Sequence, residues 1–155
     1  MQIDLADAAH CRWLLELLEH YARDPMGAGK GLGAYARENL VAELRGLPGY
    51  RGALAWIDVE AVGLINCFTG FSTFAARPLL NIHDIVVRGD RRGQGVGRAL
   101  LGWAQQVATD LRCCKLTLEV LANNRPAMAL YRSAGFVPYE LGPAAGQALL
   151  LQKLL

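Results

Sequence analysis

The segment that most restricts how this chain folds is Val87-Arg88-Gly89-Asp90-Arg91-Arg92-Gly93-Gln94-Gly95-Val96-Gly97-Arg98-Ala99-Leu100. A β-prone apolar run, Leu80-Asn81-Ile82-His83-Asp84-Ile85-Val86-Val87, leads into it, and an amphipathic helical stretch from about Gly95 to Leu111 follows. Gly93, Gly95 and Gly97 let the backbone turn tightly and approach a ligand, and successive N–H groups meet a helix N-terminus there. Strand, glycine turn and helix in this order make an anion cradle, to which Arg91, Arg92 and Arg98 add positive charge. Two familiar phosphate motifs do not fit. A GxGxxG dinucleotide fingerprint from Gly93 requires glycine where Arg98 stands, and a P-loop requires a Gly-Lys-Ser/Thr triplet that the chain lacks.

The flanking sequence supplies the rest of an α/β fold. Asp7 is placed to cap a helix with Leu14, Leu17, Leu18 and Tyr21 at the 3.6 period, and Asp24-Pro25-Met26-Gly27 stops it. A glycine-rich loop carries Lys30, and a second helix runs from about Tyr35 to Arg45. Strands are expected at Tyr50–Ile57 and Val62–Phe68, joined at Asp58–Ala61, and then at Leu80–Val87. After the glycine-loop helix come a strand at Lys115–Leu121, a short helix at Asn124–Ser133 closed by Gly135, and two strands near Phe136–Glu140 and Gln147–Leu154. The order predicts a mixed α/β sandwich rather than a regular doubly wound sheet.

Composition bounds this picture. The 155 residues suit one domain spanning 1–155, and 53% hydrophobic against 19% charged residues requires a large core and excludes a disordered chain. A net charge of +2 is too small to signal a nucleic-acid binder. The longest uncharged stretch, Ala61 to Ala76, is shorter and more polar than the roughly 20 apolar residues of a membrane span. The N-terminus, Met1-Gln2-Ile3-Asp4-Leu5-Ala6-Asp7, has no basic region of the signal-peptide kind. Cys11, Cys67, Cys113 and Cys114 form no CxxC pair and read as reduced thiols, consistent with a cytoplasmic protein without a metal site.

Two motifs then carry a family resemblance. Arg92-Gly93-Gln94-Gly95-Val96-Gly97 is similar to the (Arg/Gln)-x-x-Gly-x-(Gly/Ala) signature of the GNAT acyltransferase superfamily. One strand later, Asn124-Arg125-Pro126-Ala127-Met128-Ala129-Leu130-Tyr131-Arg132-Ser133-Ala134-Gly135-Phe136 resembles that family's N-x-x-A-x-x-L-Y-x-x-x-G-F block. His83-Asp84-Ile85 looks most like the diamine-acetyltransferase branch, with histidine where that branch has glutamate. The resemblance covers roughly residues 52 to 155. It implies the GNAT fold, a mixed and mostly antiparallel sheet with two splayed parallel strands and helices on both faces.

It also implies acetyl-CoA as co-substrate, held in the opening between the strands around 82–88 and 115–121. By resemblance, the backbone of Ile85, Val86 and Val87 pairs with the pantetheine amides as an added strand does. Backbone N–H groups of Arg92, Gly93, Gln94, Gly95, Val96 and Gly97 hold the pyrophosphate, and Arg98 and Ala99 open the helix. Asn124 bonds the pantetheine arm, Ala127 leaves room for it, and Tyr131 lies against it as the general acid to the CoA thiolate. A phenol with an ordinary pKa near 10 suits that leaving group. The amine must lose a proton before it attacks, and three routes stay open: His83, Glu119 (which matches a base of the ribosomal-protein N-terminal acetyltransferases), or a water relay. On an extended strand Asp84 faces away from His83 and reads as a structural carboxylate, satisfied by backbone or an arginine.

The function expected is transfer of acetyl to a small-molecule primary amine. A protein or peptide N-terminal acetyltransferase and a non-catalytic acyl-CoA-binding module are the alternatives. Acceptor contacts are expected from the first two helices, Lys30, Arg77 and the Phe68, Phe71 and Phe74 segment. The apolar Ala148-Leu149-Leu150-Leu151 edge suits a homodimer.

Overall fold

The computed structural model describes residues 1–27, 29–140, 142 and 148–153. Helices α1 (Ala8–Arg23) and α2 (Ala34–Arg45) precede strands β1 (Tyr50–Ile57), β2 (Glu60–Ser72) and β3 (Arg77–Val87). A short 3-10 turn at Gly89–Arg91 leads to α3 (Val96–Asp110), β4 (Leu116–Leu118) and α4 (Arg125–Ser133). The strands form one sheet in the order β1-β2-β3-β4, antiparallel except for the parallel β3–β4 pair.

Period-two alternation sends apolar side chains to both faces of this sheet. On one face Leu54, Leu64 and Val86 pack with Leu14, Leu17 and Leu18 of α1 and Leu44 of α2. On the other, Ala53, Ile65, Cys67, Leu80 and Ile82 pack with Leu100, Leu101, Ala104 and Ala108 of α3 and Tyr131 of α4. The α1 start is the expected one, since the Asp7 carboxylate accepts the N–H groups of Ala9 (2.7 Å) and His10 (3.1 Å).

Three expectations need correction. Beyond Leu118, where a strand to Leu121 is expected, the ladder ends, because β3 pairs with β4 only over Leu80–Ile82 and then diverges. No strand forms over residues 136–139: Pro138 offers no N–H, and Val137 and Tyr139 are exposed. The last expected strand lies partly outside the described residues, which exclude Gln147 and Leu154, and residues 148–153 carry no ladder, with Leu149, Leu150 and Leu151 exposed.

Candidate functional site

Two features of β3 build the site. The pairing Leu80↔Leu116, Asn81↔Thr117, Ile82↔Leu118 is the whole of the parallel contact. From Ile85 to Val87 the strand pairs with β2 on one edge, while among the described residues no strand covers its other edge. That open edge is a template for an extended ligand. The second feature is a bulge. Ile65 faces Ile85 and Asn66 faces Asp84, but Cys67 faces Ile82, so β3 carries one extra residue at His83.

The bulge overturns the expected orientation of Asp84. Ile82 and Ile85 both pack on the α3 side, so the two residues between them both turn to the α1 side. There the His83 ring meets Phe68 edge-on at 5.6 Å, and Phe68 packs against Tyr50 at 5.8 Å. Asp84 Oδ2 accepts from Asn66 Nδ2 at 3.0 Å, and Asn66 Oδ1 accepts from the Tyr50 hydroxyl at 2.9 Å. An amide therefore satisfies Asp84, in place of the backbone or arginine expected. Asn66 is a residue that sequence reasoning missed. Its one signal is a lone polar side chain in the apolar run Val62–Phe68. Glu119 is exposed and follows Leu118, the last paired residue of β4, as His83 follows Ile82, the last residue of β3 paired with it. The two candidate bases thus flank the mouth of the splay.

Tyr131 approaches from the other side of the sheet. Its ring is buried against Phe136 at 6.0 Å. Its hydroxyl has no hydrogen-bond partner among the described residues, yet it is not sealed from solvent. Burial pushes its pKa up to about 12, with a further push from Tyr21. Tyr21 belongs to α1, on the other face of the sheet.

The glycine turn is shaped as its sequence suggests. Gly93 (φ +77°) and Gly95 (φ +84°) take left-handed conformations, with no atom near where a Cβ would sit. Among the described residues no backbone carbonyl accepts the N–H groups of Gly93 through Arg98. The Arg92 N–H reaches Gly89 O at 3.5 Å, and the Ala99 N–H closes the first turn of α3 on Gly95 O. Gly97 has a further role, since a Cβ there would lie 2.8 Å from Leu130 Cδ2, so it seats α3 on α4. The arginine charge is mostly spent within the protein. Arg88 pairs with Glu60 and Asp90, Arg91 with Asp90, and Arg92 with Asp24 at 2.9 Å while its Nε bonds Val87 O. Arg98 touches Ser133 Oγ and has no acidic partner among the described residues. Asn124 caps α4 through its Oδ1 on the Ala127 N–H, leaving its amide NH₂ free, and Ala127 packs on the same core as Tyr131.

Of the phenylalanines expected to contact the acceptor, Phe68 lies beside His83. Phe71 and Phe74 are exposed on the β2–β3 hairpin, and Lys30 and Arg77 are exposed too. Among the described residues no group of three His, Cys, Asp or Glu side chains is placed to hold a metal ion, and no helix is long and apolar enough to cross a membrane.

The sequence profile of the Acetyltransferase (GNAT) family matches residues 14–136. The chain belongs to the GNAT family. Its similarity to characterised members is partial. A thialysine N-epsilon-acetyltransferase of Bos taurus is 34% identical over 96 residues, which cover 62% of this chain and 53% of that protein. A streptothricin acetyltransferase of Escherichia coli is 35% identical over 82 residues, covering 53% and 44%. This GNAT chain thus spans about half the length of these curated relatives. Among solved structures, a probable acetyltransferase superposes with a TM-score of 0.80 at 23% identity, covering 99% of this chain and 98% of that one. An aminoglycoside acetyltransferase from an uncultured soil metagenomic sample, in complex with trehalose, gives a TM-score of 0.76 at 17% identity, covering 100% and 93%. At those identities the likeness is one of fold.

Proposed function

We propose that this GNAT protein transfers the acetyl group of acetyl-CoA to the primary amine of a small molecule by direct attack. The observation that carries the reading is the splay of β3 from β4, with a buried, protonated phenol on one side and His83, Asp84 and Glu119 at the other. The residues fit the co-substrate. The open edge of Ile85, Val86 and Val87 has the amide spacing of an added strand, and the partner-free N–H groups of Gly93 to Arg98 suit a pyrophosphate at a helix start. Asn124 keeps an amide NH₂ for the pantetheine arm.

In this reading the acceptor ammonium loses a proton to His83 or Glu119, directly or through water. The free amine nitrogen then attacks the thioester carbonyl. As the carbon–sulfur bond breaks, Tyr131 gives its proton to the departing thiolate. A phenol raised to about 12 stays protonated at neutral pH, as a general acid must. The relatives named for thialysine and streptothricin acetylation support a small amine acceptor. Four free thiols suit a reducing cytoplasm, and a homodimer covering Leu149–Leu151 completes the reading.

A thiol-release assay with acetyl-CoA and a panel of amines tests it. Tyr131→Phe is expected to lower kcat about a hundredfold or more with little change in acetyl-CoA affinity. Unchanged turnover removes Tyr131 from the chemistry. Loss of the alkaline-rising limb of the pH–rate profile in His83→Ala or in Glu119→Ala identifies the base.

A further inference from the structure

The bulge that brings His83 and Asp84 to one face coincides with a buried polar chain. The β2–β3 register shifts between Asn66 and Cys67, and Asn66 is the one buried polar residue among the described residues, at 3% exposure. Its amide is used at both ends, accepting from Tyr50 at 2.9 Å and donating to Asp84 at 3.0 Å. Among small side chains, an amide accepts from a phenol and donates to a carboxylate at the same time. Leucine there would leave both groups orphaned, and an ionised aspartate would repel Asp84.

The half-buried Asp84 carboxylate meets no cationic partner among the described residues, so its negative charge stays uncompensated beside His83. The groups around it are Tyr21 of α1, Tyr50 of β1, Cys67 of β2 and His83 of β3. Its charge adds to burial in keeping Tyr21, Tyr50 and Cys67 protonated. At one end of the chain Tyr50 is anchored in the core beneath α1. At the other, Asp84 stands next to the residue that the bulge turns toward the splay.

We infer that Asn66 is a positioning residue of this site: its amide, held by Tyr50, fixes the Asp84 carboxylate and the β3 bulge that turns His83 to the same face. Asn66 does not touch the acceptor; it acts through Asp84 and His83. The kinetic part of this inference rests on the acetyl-transfer reading, and a spectroscopic part does not.

The test compares Asn66→Leu, Asn66→Asp and Tyr50→Phe with the parent protein, using acetyl-CoA and a primary-amine panel, and follows the His83 ring resonances by NMR at fixed pH. Asn66→Leu is expected to raise the acceptor KM about tenfold, as loss of one charge-assisted bond implies, and to leave the KM for acetyl-CoA unchanged. In Asn66→Asp the new carboxyl, next to Asp84 and buried, takes up a proton readily and then donates as the amide did. Its activity relative to the parent is therefore expected to recover between about pH 8 and about pH 6, whereas that of Asn66→Leu is not. The His83 ring resonances are expected to shift in Asn66→Leu, because the ring leaves the edge of Phe68 when the bulge relaxes.

A folded Asn66→Leu protein with parental acceptor KM and parental His83 ring resonances overturns the inference. Should Asn66→Leu fail to fold, Tyr50→Phe decides. It keeps the Asn66–Asp84 bond but frees the amide, with an expected rise of about threefold in acceptor KM, and no change overturns the inference. If the parent turns over no amine, the acetyl-transfer reading fails and the His83 ring resonances still decide the role of Asn66.

Discussion

Three glycines in and before α3 test the site's backbone. Gly95 caps α3 with φ +84° and ψ −5°, and nothing lies within 4 Å of a Cβ placed there. Gly102 sits mid-helix and is equally unobstructed. An alanine at either position thus differs in backbone terms alone. At Gly95 the left-handed conformation costs an L-residue about 1–2 kcal/mol, of which the stiffer unfolded chain returns about 0.4–1 kcal/mol. At Gly102 alanine gains about 0.8–1.0 kcal/mol of helix propensity. Gly95→Ala and Gly102→Ala should therefore differ by about 0.8–2.6 kcal/mol, with Gly102→Ala the more stable. For a domain of this length that separates their Tm values by about 2–10 °C. Urea denaturation and a thermal melt, each with and without acetyl-CoA, measure the difference. Gly95→Ala is also expected to lose part of the acetyl-CoA-induced rise in Tm, because its strained turn re-aims the free N–H groups. Gly97→Ala behaves differently again. Its Cβ would meet Leu130, the neighbour of Tyr131, so turnover should fall more than stability. If Gly95→Ala is as stable as Gly102→Ala, the left-handed turn is not the conformation that seats this helix.

Two further outcomes follow from the charges. Burial holds Cys67 and Tyr131 up to about 12, against ordinary values of 9.0 and 10.0, and raises Tyr50 as well. Their neutral forms favour the folded state, so this stability is intact below about pH 9 and is lost as pH climbs toward 12. A Tm flat to pH ~11 would refute this, and Cys67→Ala should flatten the first part of the fall. Asp24→Asn releases Arg92 from a partly exposed ion pair worth about 0.2–1 kcal/mol, so it should tighten acetyl-CoA binding by up to about fivefold at low salt and less at high salt. Calorimetric titration at two ionic strengths reads this, and unchanged affinity at low salt would show that Arg92 does not meet the phosphates.

Local signals carried far in this chain. The 3.6-residue spacing of Leu14, Leu17 and Leu18, the Asp7 cap, the Asn124 cap and the glycines at 93 and 95 all act within a few residues, and each was readable before any fold was known. So were the two motifs of the family and Tyr131 within them. What the sequence did not reveal depends on partners far along the chain. Arg92 looks like a free cation, but Asp24, on the loop after α1, takes it up. Phe71 and Phe74 look like pocket walls, but the β2–β3 hairpin carries them into solvent. His83 and Asp84 look opposed, because an even strand alternates its faces, and only pairing with β2 introduces the extra residue that puts them together. The end of β4 at Leu118 has the same origin, since a strand lasts only as long as its neighbour stays in register. By itself the sequence determined the helices, the glycine turn before α3 and the place of Tyr131 on α4, because those are fixed by local spacing. The tertiary structure decided which side chains share the mouth of the splay and that Asn66 stands behind them, because register and ion pairing are properties of segments that meet only in the folded chain.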